Sequence, residues 1–208
     1  MSELGRTAFR DRFMSAGPIL NVMNKISIGP RPYMAAMPTV LVGATVGGEP
    51  NFMTASWAGV ACMEPPMVSV AINKARHTEK GIAENKVFSL NIPAARNAVE
   101  SDFCGIVSGK NEDKASNFEV FYGKLASAPM IETFPVNIEC ELYHTADLGS
   151  HNLHIGKVVD VHADESCLTN GAPDTMKVDP IVYSNKNYYR VGETLGKAYS
   201  IGKGMRRL

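Results

Sequence analysis

Asn51-Phe52-Met53-Thr54-Ala55-Ser56-Trp57 is the stretch on which the reading of this chain turns. Before it runs an apolar, β-branched segment, Thr39-Val40-Leu41-Val42-Gly43-Ala44-Thr45-Val46, closed by Gly47-Gly48-Glu49-Pro50. Strand, tight turn and strand together predict a β-hairpin. On a regular strand Thr54 and Ser56 share one face, while Ala55, Ala58 and Gly59 leave the backbone open to close approach. Hydroxyls beside bare backbone suit an anion. A phosphate monoester, with nearly two charges and several acceptor oxygens, asks for N–H and O–H donors plus a cation. Lys74, Arg76 and Thr78 are candidates, placed after the strand Met67–Ile72 and at the head of the helical pattern Thr78–Asn85, whose N-terminus adds N–H groups and a favourable dipole. The same residues also read as an ordinary strand, solvated charges and a helix start. Trp57 sharpens the choice: a regular strand sends it to the face opposite Thr54 and Ser56, where it reads as a core residue. A shared site requires the strand to bend or end between Ala55 and Trp57.

Composition bounds the alternatives. The chain has 208 residues, 45% of them hydrophobic, which is enough for one well-cored domain. Acidic and basic side chains balance at 21 each, which offers no electrostatic footprint for nucleic acid, and Lys203, Arg206 and Arg207 are too few for a membrane anchor. No apolar run approaches a transmembrane length, and Arg6, Arg10, Asp11 and Arg12 interrupt any apolar signal core, so the expected location is the cytoplasm. Cys62, Cys104, Cys140 and Cys167 are widely spaced and are expected to be buried, reduced thiols. His151 and His154 fall on opposite faces of the strand-like run Asn152–Val161, so no metal site is predicted from them. Gly105-Ile106-Val107-Ser108-Gly109-Lys110 has the wrong spacing for a Walker loop, and no Gly-x-Gly-x-x-Gly occurs.

The remaining pattern is strand-rich. Lys86–Ile92, Val136–Ala146, Leu153–Ala163, Pro180–Ser184 and Tyr188–Val191 read as strands. Helices are fewer: Arg6–Ala16, Thr78–Asn85, Asn97–Ile106 and a turn near Glu112–Phe118. Asn170–Asp174 reads as a loop. Many strands at hairpin separations favour a closed or nearly closed antiparallel barrel, mainly β with several decorating helices.

Several ordered blocks then resemble the flavin reductase-like family, the FMN-binding split β-barrel proteins, in its flavoredoxin branch. They are Asn51–Trp57, Glu64-Pro65-Pro66, Lys74–Thr78, Phe88–Pro93, Asp102–Gly109 with Asp113-Lys114, Gly149-Ser150-His151 with Ile155-Gly156, and Tyr188-Tyr189. The resemblance runs from about residue 28 to 202, between an extension over 1–27 and a tail over 203–208. It implies a Greek-key-like split barrel that forms a homodimer and binds FMN non-covalently near the subunit interface. Thr54 and Ser56 would meet the phosphate or ribityl chain, Trp57 the flavin, and Lys74, Arg76 and Thr78 the phosphate end. Asn51, Met53, Ala55, His77 and Asn91 complete the implied cofactor-binding set. His151 would lie near the isoalloxazine face as the catalytic candidate, although Ser150 stands where many relatives carry an acidic residue and Ala115 where an aromatic often follows Asp-Lys. Asp102 and Lys114 read either as a helix-associated ion pair or as pocket lining. Three functions remain in competition: an oxidoreductase that reduces flavin or another acceptor with NADH or NADPH, an FMN electron carrier served by a redox protein partner, and a binding protein for another ligand on the same barrel.

Overall fold

The computed structural model describes residues 24–205. They fall in two compact units that part between Tyr33 and Met34, and residues 24–33 contain neither helix nor strand. The helix expected over Arg6–Ala16 lies outside the described residues, as do most of the extension and the end of the tail.

From Met34 onward the chain is built on strands. After the short β1 (Met37–Pro38), β2 (Val40–Val46) and β3 (Glu49–Ala55) form the expected hairpin, closed by the pair Val46 and Glu49. Its turn residues Gly47 and Gly48 have φ of +61° and +92°, the left-handed conformations that a two-residue hairpin turn demands and glycine adopts without strain. Next come β4 (Ala58–Cys62), β5 (Met67–Asn73), helix α1 (Thr78–Asn85), β6 (Val87–Ile92) and helix α2 (Ala98–Ile106). The short β7 (Val120–Phe121) and β8 (Met130–Ile131) pair with each other ahead of two long strands, β9 (Val136–Asp147) and β10 (His151–Ala163). The stretch Asn170–Asp174, expected as a loop, holds the turn of a miniature hairpin between β11 (Leu168–Thr169) and β12 (Ala172–Pro173). Helix α3 (Thr175–Val178) follows, then the hairpin of β13 (Ile181–Ser184) and β14 (Asn187–Arg190), on which β1 pairs.

Seven strands make one antiparallel sheet in the order β3-β2-β6-β9-β10-β5-β4. Its two edges, β3 and β4, are consecutive in the chain and joined by Ser56 and Trp57 alone. A link that short reaches only about 10 Å, so the sheet must curl until its edges come together. No ladder joins β3 to β4, however, and the barrel is split along this seam. The expected fold class holds, and the barrel is left open along this seam.

Alternation sorts the side chains into two cores. Val40, Val42, Ala44, Met53, Val70, Ile72, Phe88 and Leu90 face the barrel interior with Ile82 of α1. Leu41 and Phe52 point the other way, where Cys104 of α2, Ile131 and Phe134 cover them. Burial on both faces explains why β2 reads as a continuous apolar run. Each such side chain contributes about 1.5–3 kcal/mol relative to exposure, so the two cores, more than the turn, hold the hairpin in register. β4 was not anticipated: Ala58-Gly59-Val60-Ala61-Cys62 lies at the sheet edge with Val60 74% exposed, and so carries no alternating signature.

Candidate functional site

The seam and the β5–α1 turn are neighbours. β3 ends at Ala55, and Trp57 leaves the strand geometry with its indole stacked on the His151 ring, centroids 4.8 Å apart and tilted by 32°. The break that a shared site requires is therefore present. His151 opens β10 opposite Asn73, the last residue of β5. The Asn73 side chain accepts from the Ala75 N–H (2.9 Å) and its carbonyl from the Arg76 N–H (2.9 Å), which curls the chain tightly into α1. The Lys74 N–H donates to the Ser150 carbonyl (3.1 Å), and the Ser150 hydroxyl meets His151 Nδ1 at 2.8 Å. One turn thus braces the other.

On the far side of the same turn opens a cleft of about 710 Å³, lined by Asn51, His77, Gly109, Lys110 and Lys114 among others. The Asn51 Nδ2 donates to the Thr78 Oγ1 at 2.6 Å, tying the hairpin to the head of α1. A Cβ at Gly109 would collide with the Asn51 amide and lie 3.0 Å from His77 Cδ2, so only glycine lets this loop approach. His77 precedes α1 without a side-chain cap, and its Nδ1 is buried with no partner. Burial, then Lys80, Lys110 and Lys114, push its pKa down and favour the neutral ring. Lys114 is 3% exposed and donates to the carbonyls of Cys104 (3.2 Å) and Val107 (3.3 Å), capping the end of α2. Burial also lowers its pKa, and Arg76 is close enough to lower it further. Cations from two segments lie near one another here, Arg76 on the turn before α1 and Lys110 and Lys114 on the loop after α2. Glu49, Glu112 and Asp113 also line the cleft, but among the described residues none pairs with Arg76, Lys110 or Lys114.

The structure divides the residues singled out from the sequence. Asn51 and His77 line the cleft, Thr78 is buried behind them on the Asn51 amide, and Trp57 meets His151 at the seam. Arg76 is exposed on the turn, whereas Lys74 pairs with Asp147 at 2.6 Å. Ser56 is half-buried in the link. Four of these side chains are engaged within the fold itself. The Thr54 hydroxyl donates to the Ser101 carbonyl of α2, so its proton is unavailable to a phosphate in this geometry. The side chains of Met53 and Ala55 pack inside the barrel and can offer a ligand backbone only. Asn91 is wholly buried, bonded to the Leu41 carbonyl (3.0 Å), the Ile131 N–H (3.1 Å) and the Asn137 amide (2.8 Å), and is a hub of the fold. Lys110 and Lys114 are the cleft residues that the sequence reading left out of the binding set. Their signal was the Gly109-Lys110 pair and the Asp113-Lys114 pair flanking one loop. Asp102 and Lys114 do not pair: Asp102 accepts from the Tyr188 hydroxyl at 3.1 Å.

The four cysteines are free; Cys104, Cys140 and Cys167 are buried as expected, while Cys62 on the edge strand is half-exposed. Burial pushes the Cys104 thiol up to about 11 and the Cys140 thiol to about 12, so both stay protonated and unreactive. Glu139, Asp160 and His162 bring three potential ligand atoms within 4.8 Å of one another. Hydrogen bonds already account for them: Glu139 accepts from the Lys124 and Leu125 N–H groups and from His162, and Asp160 pairs with Lys124 at 2.8 Å.

A split antiparallel barrel with an aromatic pair at its seam and a cationic cleft beside it defines the class of small split-barrel proteins. The chain belongs to the flavin reductase-like domain family, whose model matches residues 33–192. In structure it is similar to a flavoredoxin of Methanosarcina acetivorans (37% identity, 86% of this chain and 98% of that one, TM-score 0.85). It is also similar to an FMN-binding protein of Thermus thermophilus (27% identity, 84% and 99%, TM-score 0.72). In sequence it is 28% identical over 161 residues to the protein named flavin reductase (NADH) of Kitasatospora aureofaciens, spanning 76% of this chain and 78% of that one.

Proposed function

We propose that the protein is an FMN-dependent oxidoreductase that reduces flavin or another acceptor with electrons from NADH or NADPH. The observation that carries this reading is the convergence of Lys110, Lys114 and the unpartnered His77 Nδ1 on one cleft, with Arg76 close by on the turn before α1 and the Trp57–His151 stack at the seam. That donor set fits the phosphate end of FMN, and the aromatic pair fits its ring. Bound FMN would supply the electron- and hydride-accepting chemistry; the protein's own residues bind and orient it. In this reading Arg76 meets the phosphate, the head of α1 adds main-chain N–H groups, and Asn51 holds Thr78 in place, while Lys74 is held by Asp147. Ser150 fixes the His151 ring against Trp57 and leaves the His151 Nε2 to tune charge beside the flavin or to seat nicotinamide. A homodimer is part of the proposal, supported by the apolar edge around β4, where Val60 is 74% and Met63 84% exposed. Among the described residues no helix is long and apolar enough to cross a membrane, and the proposed setting is the cytoplasm, which keeps free thiols such as these reduced.

The likeness to a flavoredoxin supports a second reading, in which FMN is held tightly and exchanges electrons with a redox protein. An anaerobic visible spectrum with FMN supplied, followed by NADH and NADPH in separate cuvettes, separates the two. Rapid bleaching of bound flavin supports the reductase. Bound flavin that stays yellow until a reduced redox protein is added supports the carrier, and no bound flavin refutes both in favour of another ligand on the same barrel.

A further inference from the structure

The first turn of α1, which the proposed function sets against a phosphate, contains an acidic residue. Glu79 directly follows Thr78, and a carboxylate free to point at the helix N-terminus would repel a phosphate there and compete for the same N–H groups. The side chain is turned away. Its Oε1 accepts from the Asn152 amide, and its Oε2 lies 2.8 Å from the His154 Nε2. The pair is deep in the protein, with the His154 side chain 3% and the Glu79 side chain 13% exposed. The other ring nitrogen, Nδ1, is 3.0 Å from the Thr145 hydroxyl. A hydroxyl either donates or accepts, so His154 keeps both hydrogen bonds whether neutral or protonated. Around the ring, α1 contributes Glu79, β9 the Thr145 hydroxyl, and β5 the apolar Val70 opposite in register, while Asn152 of the same strand reaches Glu79. Glu79 is thus the charged group that His154 meets among the described residues.

We propose that Glu79 and His154 are positioning residues for the phosphate end of the ligand: the Asn152 amide and the His154 ring, both on β10, draw the Glu79 carboxylate off the helix N-terminus. This rests on the phosphate reading of the Lys74–Thr78 turn. A carboxylate released from β10 would face that phosphate and weaken its binding.

The test compares FMN with riboflavin, which has the same ring and no phosphate, by flavin-fluorescence titration at pH 7. His154→Phe removes the ring that holds the carboxylate, and Glu79→Gln added to it removes the charge. His154→Phe binds FMN about tenfold more weakly than wild type, the scale of one charge at moderate range in a partly screened site, and the double variant returns to within about twofold of wild type. Riboflavin affinity is unchanged throughout. Equal losses for FMN and riboflavin, or a double variant no tighter than His154→Phe, overturn the proposal, because a merely structural clamp has those effects. If His154→Phe fails to fold, Asn152→Ala, which removes the other bond to the carboxylate, carries the test. A wild type that binds neither flavin refutes the underlying functional reading instead, and a wild type that binds both equally removes the phosphate site from the Lys74–Thr78 turn.

Discussion

Gly81→Ala sets local propensity against packing, and the two predict opposite signs. Gly81 lies within α1, where alanine is favoured over glycine by about 1 kcal/mol, so propensity alone forecasts a more stable protein. Here a Cβ would strike the carbonyl oxygen of Thr45 on β2 and come within 2.9 Å of Val46 Cγ2. Neither can give way easily, because the obstacle is backbone held in the sheet and the Thr45 N–H is itself bonded to the Ser127 carbonyl at 3.3 Å. The helix must move outward. That movement strips contacts from Ile82, which is fully buried, and breaks the bond from the Asn85 amide to the Thr45 carbonyl, now 2.8 Å. Overpacking of this kind costs about 1–3 kcal/mol and the lost hydrogen bond about 1 more, so the balance after the propensity gain is destabilisation by about 2 kcal/mol. For a chain of this size the midpoint of thermal unfolding falls by roughly 4–8 °C. Differential scanning calorimetry on wild type and variant, both without added flavin, reads it directly. A midpoint equal to or above that of the wild type would refute the reasoning, since it would mean that α1 does not sit on β2 as closely as described.

Thr78→Ala and Thr54→Ala separate two hydroxyls that look alike in the sequence. Thr78→Ala deprives the buried Asn51 amide of its partner and weakens FMN binding by about tenfold, whereas Thr54→Ala, whose hydroxyl is bonded to the Ser101 carbonyl, changes affinity less than twofold; flavin-fluorescence titration distinguishes them. Trp57→Leu removes the ring that stacks on His151, so the quenching of bound FMN fluorescence should diminish while the unfolding midpoint stays within a few degrees, about the effect expected for a half-exposed side chain. Glu139 supplies a pH dependence of known sign. Burial raises its pKa, but His162 and the Lys124 and Leu125 N–H groups outweigh burial and hold it below the ordinary carboxylate value. A depressed folded pKa stabilises above the unfolded value and loses that contribution as pH falls through the folded one. Glu139→Gln should therefore cost about 1–3 kcal/mol in urea unfolding at pH 7, with the gap to wild type narrowing as pH falls below the ordinary carboxylate range.

Much of the barrel was legible because its signals are local. The hairpin of β2 and β3 announces itself through an apolar run and a Gly-Gly turn, and the long strands β9 and β10 through sustained β-branched segments. β4 stayed hidden because an exposed edge strand of small residues has no alternation to detect, and the split in the barrel because register along a seam is a property of the whole sheet. The site was half legible for a related reason. Strand periodicity correctly posed the Trp57 problem, that indole and hydroxyl belong to opposite faces unless the strand breaks. It could not tell that Thr54 donates to α2, since Ser101 lies 47 positions away. Nor could spacing distinguish Asn91 as a hub from Asn51 as a cleft residue: both sit on strands of this hairpin's sheet, and only the third dimension shows which one the chain has closed over.

The break at Ser56–Trp57 gives the fold and the site a common origin. Had β3 continued into β4 as a ladder, Trp57 would have lain on one face of the sheet with no reason to meet His151, the first residue of β10. Because the sheet's two edges are joined by a two-residue link, that link must cross the barrel end beside the β5–α1 turn and the β9–β10 hairpin. The same link brings an aromatic pair, a cationic turn and a helix N-terminus to one end of the barrel. Lengthening the link therefore tests both at once. Two glycines inserted between Ser56 and Trp57 should leave β9 and β10 intact by circular dichroism, lower the unfolding midpoint by several degrees, roughly the effect of loosening one edge contact, and reduce flavin affinity by more than tenfold. Retained affinity in such an insertion variant would show that the ligand is held without the Trp57–His151 stack.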